Sequence, residues 1–284
     1  MKKIPTLESV RFTLSYTYGE IGVAAKFALP WLILYAVFTL VFQLIGIGEF
    51  YQLTEMVIFA TNFPKDALAM GYDKLPILKA NLAALTVALG AWVQIHELLN
   101  KLLILVIFGG YSVVLQRYYF LEEEPAVRFE RQELKSIGYV FAGVAFAWLV
   151  ASLVFYMFEL NDLSNARTAI VYIGIILLMI FILVRFSLIL PAIALDDFKT
   201  TGFTSYKVTK RNGFGMFFGF LLVSLSVSPL YILGVAVERL SLPIFLDWTL
   251  QLFAWLIWFT FVSWYIAGIY KYFIQRITTH VFPI

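Results

Sequence analysis

Two groups of polar residues in this 284-residue sequence have the types and spacing to do chemistry. The first is His96, Glu97, Asn100 and Lys101. Glu97 and Lys101 are four apart, so they pair on one helix face, with His96 beside them as a group that can carry a proton. The bland reading of the same cluster is a paired, water-exposed start of a helix, where charges cost least. The second group is Arg185, Asp196 and Asp197, with Pro191 between them. An arginine in an apolar run costs at least about 2.5 kcal/mol at the centre of a bilayer, and depth decides its meaning. Counted from Thr168 at about 1.5 Å per residue, Arg185 lies roughly 26 Å along its helix, near the headgroups. There it snorkels or pairs with Asp196, or it lines a cavity. Pro191 lacks the donor that the carbonyl four residues back expects, so it predicts a kink or helix end that leaves Asp196 and Asp197 at a bend.

The elements that must position these groups follow from composition. The chain is 62% hydrophobic and 14% charged, with a mean hydropathy of +0.87, outside the range of soluble domains and inside that of polytopic helical membrane proteins. With no cysteine, disulfides and thiolate chemistry are excluded, and His96 and His280 are too few and too far apart for a histidine metal site. No cofactor is expected. The basic residues form no single block, which argues against nucleic acid.

A bilayer core about 30 Å thick needs roughly 20 apolar residues per helix. Six segments meet this: 24–47, 98–118, 137–158, 168–195, 214–237 and 248–270. With both termini cytosolic, this layout puts thirteen Lys and Arg inside and five outside, as the positive-inside rule asks. Segment 77–95 is nearly apolar enough to be a seventh span; it is read as part of an external or re-entrant stretch, 49–97, leading into the second span. Polar stretches that mix aromatic and basic residues precede the first, third and fifth spans, at 6–20, 121–136 and 196–212, each followed by Gly near the start of an apolar run. The expected fold is therefore all-α, with six transmembrane helices as three pseudo-repeats of an interfacial or cytosolic helix plus a two-span hairpin.

Within the third such stretch, Phe203 and Tyr206 face lipid while Lys207, Lys210 and Arg211 meet anionic headgroups; the other reading is a solvated connector. Small residues mark helix contacts: Gly215 and Gly219 form a GxxxG, and Gly143, Ala147 and Ala151 a small-residue stripe, serving packing within the chain or a homodimer face. Trp31, Trp148, Trp248 and Trp264 lie near span ends, as interfacial anchors do. Pro229 follows Ser224, Ser226 and Ser228, whose hydroxyls can satisfy the carbonyl it frees.

The run Arg185-Phe-Ser-Leu-Ile-Leu-Pro-Ala-Ile-Ala-Leu-Asp-Asp, followed by Gly202, Ser205-Tyr206-Lys207, Thr209-Lys210 and Asn212-Gly213-Phe214, resembles the signature of the glycerophosphoryl diester phosphodiesterase membrane-domain family, which includes YciC-like bacterial inner-membrane proteins. The resemblance covers about thirty residues. It implies an all-helical inner-membrane protein in which Arg185, Pro191 and Asp196 shape a bend from membrane to interface. The catalytic barrel that follows this domain in some relatives has no counterpart in these 284 residues, so phosphodiesterase activity is not carried over.

The sequence contains no GxSxG, HExxH or P-loop motif. The expected function is non-enzymatic: a multi-pass protein of the bacterial inner membrane whose partners are membrane lipids, another membrane protein or a second copy, in an envelope process. A transporter or channel with a kinked fifth span is the alternative, and a headgroup enzyme built on Asp196, Asp197 and Arg185 is the third.

Overall fold

The structure is a computed structural model that describes residues 6–62, 75–124, 130–158, 166–197, 199–210, 212–238 and 244–273. The described residues are all-helical: α1 (Thr6–Gly19), α2 (Ile21–Leu44), α3 (Ile47–Asn62), α4 (Leu75–Leu121), α5 (Arg131–Phe158), α6 (Ala166–Phe186), α7 (Ile189–Ala194), α8 (Gly202–Thr209), α9 (Gly213–Glu238) and α10 (Ile244–Phe273). Four helices among them are long and apolar enough to cross a membrane: Ile21–Leu44, Pro76–Leu121, Ile173–Ala194 and Phe245–Tyr272. A fifth is added if Gly202–Thr209 and Gly213–Pro229, bent by 96°, count as one span. The expected third span, 137–158, falls in α5, where the side chains at 147, 148, 151 and 153–158 lie outside the described residues.

Several elements differ from the sequence expectation for identifiable reasons. Segment 77–95 and the second span are one uninterrupted helix, α4, of 47 residues. Between Pro76 and Leu121 there is no further proline, and Gly90 and the Gly109-Gly110 pair weaken a helix without ending it. In stretch 121–136, α4 ends at Leu121 and residues 131–136 are the first turns of α5, while 125–129 lie outside the described residues. The Glu133 carboxylate reaches back to accept from the Glu130 backbone N–H at 3.0 Å, a cap that fixes the start of α5. Stretch 196–212 is helical only at 202–209, where the Thr201 hydroxyl caps α8 by accepting from the Thr204 N–H.

The chain forms two compact units. One comprises Met1–Trp31, Leu105–Leu233 and Phe253–Ile284, the other Leu32–Ile104 and Gly234–Leu252. The core of the first gathers Leu188, Met216, Val223, Phe261, Tyr265 and Ile269. Hydrogen bonds thread it: Tyr111 Oη meets Thr260 Oγ1 at 2.8 Å, Gln116 Nε2 donates to Ser263 Oγ at 2.7 Å, and Trp264 Nε1 donates to the Leu115 carbonyl at 3.2 Å. Trp31 and Trp264 are thus buried in this unit rather than set at an interface as anchors, and Trp148 lies outside the residues with described side chains. The second unit packs Phe42, Ile47 and Val93 with Phe38, Phe50, Tyr51 and Leu89.

Glycines make the tightest contacts in the first unit. A Cβ on Gly109 would meet the Ile137 Cα at 2.7 Å, and one on Gly110 the Trp31 ring at 2.5 Å. A Cβ on Gly219 would overlap the Tyr265 hydroxyl, so the second glycine of the GxxxG packs within the chain. Gly215 has only Thr6 Oγ1 near it, and Gly143 only Leu183 at ordinary distance. The side chain of Ala147 is outside the described set. Pro229 frees the Leu225 carbonyl, and Ser228 Oγ donates to it at 2.7 Å, as expected from the serines ahead of it.

Candidate functional site

The bend predicted from Pro191 lies four residues earlier, where the proline ring and missing N–H act on the Ser187 carbonyl. Helix α6 stops at Phe186 and α7 begins at Ile189, leaving a run of carbonyls that a continuous helix would have used. Each finds a donor. Ser187 Oγ donates to Val184 O (2.7 Å), Ser205 Oγ to Arg185 O (2.6 Å), Tyr139 Oη to Phe186 O (3.0 Å) and the Leu190 N–H to Ser187 O (3.0 Å). The break is therefore a built feature held from α5 and α8, not a loose hinge.

Arg185 sits at this break and is 8% exposed. Its guanidinium donates to the Tyr206 carbonyl (3.0 Å) and Thr209 Oγ1 (3.3 Å), and Cζ lies 3.8 Å from the Tyr206 ring centroid. It thus satisfies the C-terminal end of α8, where the helix dipole favours a cation. The expected pairing with Asp196 does not form: among the described residues Arg185 has no ion-pair partner, and Asp196 is held by α5 instead.

Helix α7 closes in a Schellman arrangement. The Asp197 N–H donates to Ala192 O (2.8 Å) and the Asp196 N–H to Ile193 O (3.2 Å), with Asp196 left-handed at φ 53°. That conformation turns the two carboxylates toward different helices. Asp196 accepts from Gln132 Nε2 (2.5 Å) and lies 3.6 Å from Lys135 Nζ, both on α5. Asp197 Oδ2 accepts from Tyr270 Oη of α10 (2.5 Å) and Thr200 Oγ1 (2.6 Å), while Oδ1 accepts from the Lys199 N–H (3.1 Å). Partial burial pushes the Asp197 carboxyl up, but the hydrogen bonds from Thr200, Tyr270 and Lys199 outweigh it and hold the carboxyl below the usual range. Beside these groups opens a pocket of about 240 Å³ lined by Lys135, Ala192, Ile193, Asp196, Asp197 and Thr200.

Of the other candidates, Lys207 on α8 and Lys210 at its C-cap are exposed, and Arg211 lies outside the described residues. The four-residue cluster splits by face. Glu97 and Lys101 form an exposed ion pair at 3.6 Å. His96 points inward, stacked between Phe38 and Trp248, with Phe42 and Tyr51 against it. Its Nδ1 lies 3.3 Å from Tyr51 Oη, while Nε2 and the Asn100 Oδ1 are buried without a partner among the described residues. The His96 group belongs to the second unit and the Arg185–Asp197 group to the first.

Sequence reasoning missed Lys135, Gln132, Tyr139, Ser205 and Tyr270. Only Ser205 carried a signal, falling in the motif that follows the bend. The chain matches no protein-family model, no curated protein and no solved structure, and the site is read from its own geometry.

Proposed function

We propose that this chain is a non-enzymatic protein of the bacterial inner membrane that binds a lipid, or a partner membrane protein, at the bend between α6 and α7. The reading takes six spans in three pseudo-repeats with both termini cytosolic, and it draws on the resemblance of the Arg185–Phe214 run to the phosphodiesterase membrane-domain family. One observation carries it: the pocket stands at the end of the apolar helix Ile173–Ala194, and its lining mixes apolar Ala192 and Ile193 with Lys135, Thr200 and two carboxylates. That is the polarity profile of an amphiphile at headgroup depth. Asp197, ionised and engaged at both oxygens, is poorly set to shuttle protons near neutral pH.

Native mass spectrometry of the protein extracted gently from its own membrane tests this. A defined lipid or protein adduct is expected, and Ile193→Trp, which enlarges a lining side chain, should remove a lipid one. A bare monomer overturns the reading and turns attention to transport. The transport alternative has its own observation, the unpartnered nitrogen of His96 inside an aromatic box, and flux in liposomes is its measurement.

A further inference from the structure

Helices α1 and α8 share a pattern at alternate positions. Thr6-Leu-Glu-Ser-Val-Arg-Phe-Thr13 aligns with Gly202-Phe-Thr-Ser-Tyr-Lys-Val-Thr209, so that Leu7 falls on Phe203, Ser9 on Ser205, Arg11 on Lys207 and Thr13 on Thr209. The match extends to structure. Thr13 Oγ1 donates to Ser9 O at 2.9 Å and Thr209 Oγ1 to Ser205 O at 2.8 Å. Both helices turn hydroxyls inward and a large apolar side chain outward, although α1 also sends Val10 into the core. Ser9, Thr13, Ser205 and Thr209 are buried, whereas Leu7 and Phe203 are 74% and 76% exposed.

An outward apolar side chain flanked by hydroxyls facing the protein indicates that the medium outside is less polar than the inside surface it replaces. The charges beside it name that medium more closely. Arg11 lies on the exposed face with Leu7 and Tyr18; Lys207 and Lys210 lie on the exposed face with Phe203; Glu8 is the acidic residue exposed beside them. Three cations with long apolar stems can snorkel from an acyl boundary to phosphate. The start of α1 also lies by the start of α9, since the nearest atom to a Cβ on Gly215 is Thr6 Oγ1.

We infer that α1 and α8 are twin anchors whose outer faces, Leu7 with Arg11 and Phe203 with Lys207 and Lys210, lie at the acyl–headgroup boundary of an anionic leaflet. This rests on the chain being a membrane protein, but it assigns a surface separate from the pocket and its lining.

The natural sequence has no cysteine, so single spin labels can be placed without further change. Labels at Leu7→Cys, Phe203→Cys and, as a control in the apolar helix Ile173–Ala194, Leu178→Cys would be read in full-length protein in vesicles of phosphatidylcholine with or without phosphatidylglycerol. In vesicles containing phosphatidylglycerol, the first two labels should meet oxygen more than water-soluble nickel. The Phe203 label should move toward water in pure phosphatidylcholine, and in Lys207→Gln with Lys210→Gln, with occupancy falling roughly fivefold per charge removed. Water-side labels at Leu7 and Phe203 with a lipid-side label at Leu178 overturn this inference alone. A water-side label at Leu178 overturns the membrane reading itself. Labels shielded from both reagents replace lipid with a protein contact, and lipid-side labels indifferent to lipid charge overturn the anionic leaflet.

Discussion

Arg185 is buried yet contacts a carbonyl, a hydroxyl and an aromatic face in place of a carboxylate. A planar guanidinium can satisfy all three at once, whereas an ammonium cannot. Arg185→Gln should therefore lower thermal stability in detergent by about 1–3 kcal/mol, the scale of losing hydrogen bonds to a charged group, and Arg185→Lys should recover only part. If the lysine variant unfolds like the native protein, the fork geometry is unimportant. Asp197 gives a test with a sign. Its carboxyl is held below the usual range, so its stabilisation is complete above the unfolded value near 4 and is lost as pH falls through the lower folded value. The melting temperature of Asp197→Asn should lie below that of the native protein at pH 6, and the gap should close as pH falls below about 4. A gap that persists unchanged into acid would show that the carboxylate's charge is not what holds Tyr270 and Thr200.

Helix contacts in this chain are set by individual glycines, and they are unequal. A methyl on Gly109 would strike the backbone of Ile137, which has no rotamer to escape with; Gly109→Ala should cost about 3 kcal/mol, the upper end of overpacking, or prevent folding. Gly143→Ala should be neutral or slightly stabilising, because only Leu183 lies near and alanine improves helix propensity. Thermal melts of the two variants side by side decide the matter, and similar losses would refute the contact assignment. This inequality shows what a sequence conveys about such a fold. Gly219 was legible as a contact from its motif, but Tyr265, its partner 46 residues on, was not. Adjacent Gly109 and Gly110 inside an apolar run were a visible signal that spacing rules passed over. Pro191 was legible as a break because its missing donor acts locally. The groups that complete the break, Tyr139 and Ser205, come from other helices and leave no local trace. Pairing with Asp196, one of the readings open for Arg185, fails for a related reason: pairing rules look for opposite charge, and here the acceptors are a main-chain carbonyl and a hydroxyl.

On the scale of the whole molecule, hydropathy and helical continuity answer different questions. Hydropathy divides residues 77–118 into two segments, but the backbone runs through both as α4, which at 1.5 Å per residue is about 70 Å long and more than twice the apolar thickness of a bilayer. The order of sides along the chain must therefore be read from charge. Arg117, Lys135, Lys199, Lys207 and Lys210 cluster around the end of α4, the start of α5 and the segment carrying α8, while residues 75–104 hold only Lys79 and Lys101. If the basic ends are cytosolic, a reporter inserted after Glu123 and another after Lys199 should both behave as cytosolic: a fluorescent protein bright, an alkaline phosphatase inactive. A reporter after Gly46, between α2 and α3, should give the opposite result. Agreement at all three positions would fix one hairpin's side and leave α1 and α8 on the same face, as their matched polarity demands. A cytosolic reporter at Gly46 would instead mean that Ile21–Leu44 either does not cross or crosses from an external N-terminus, and the orientation drawn from charge would have to be abandoned.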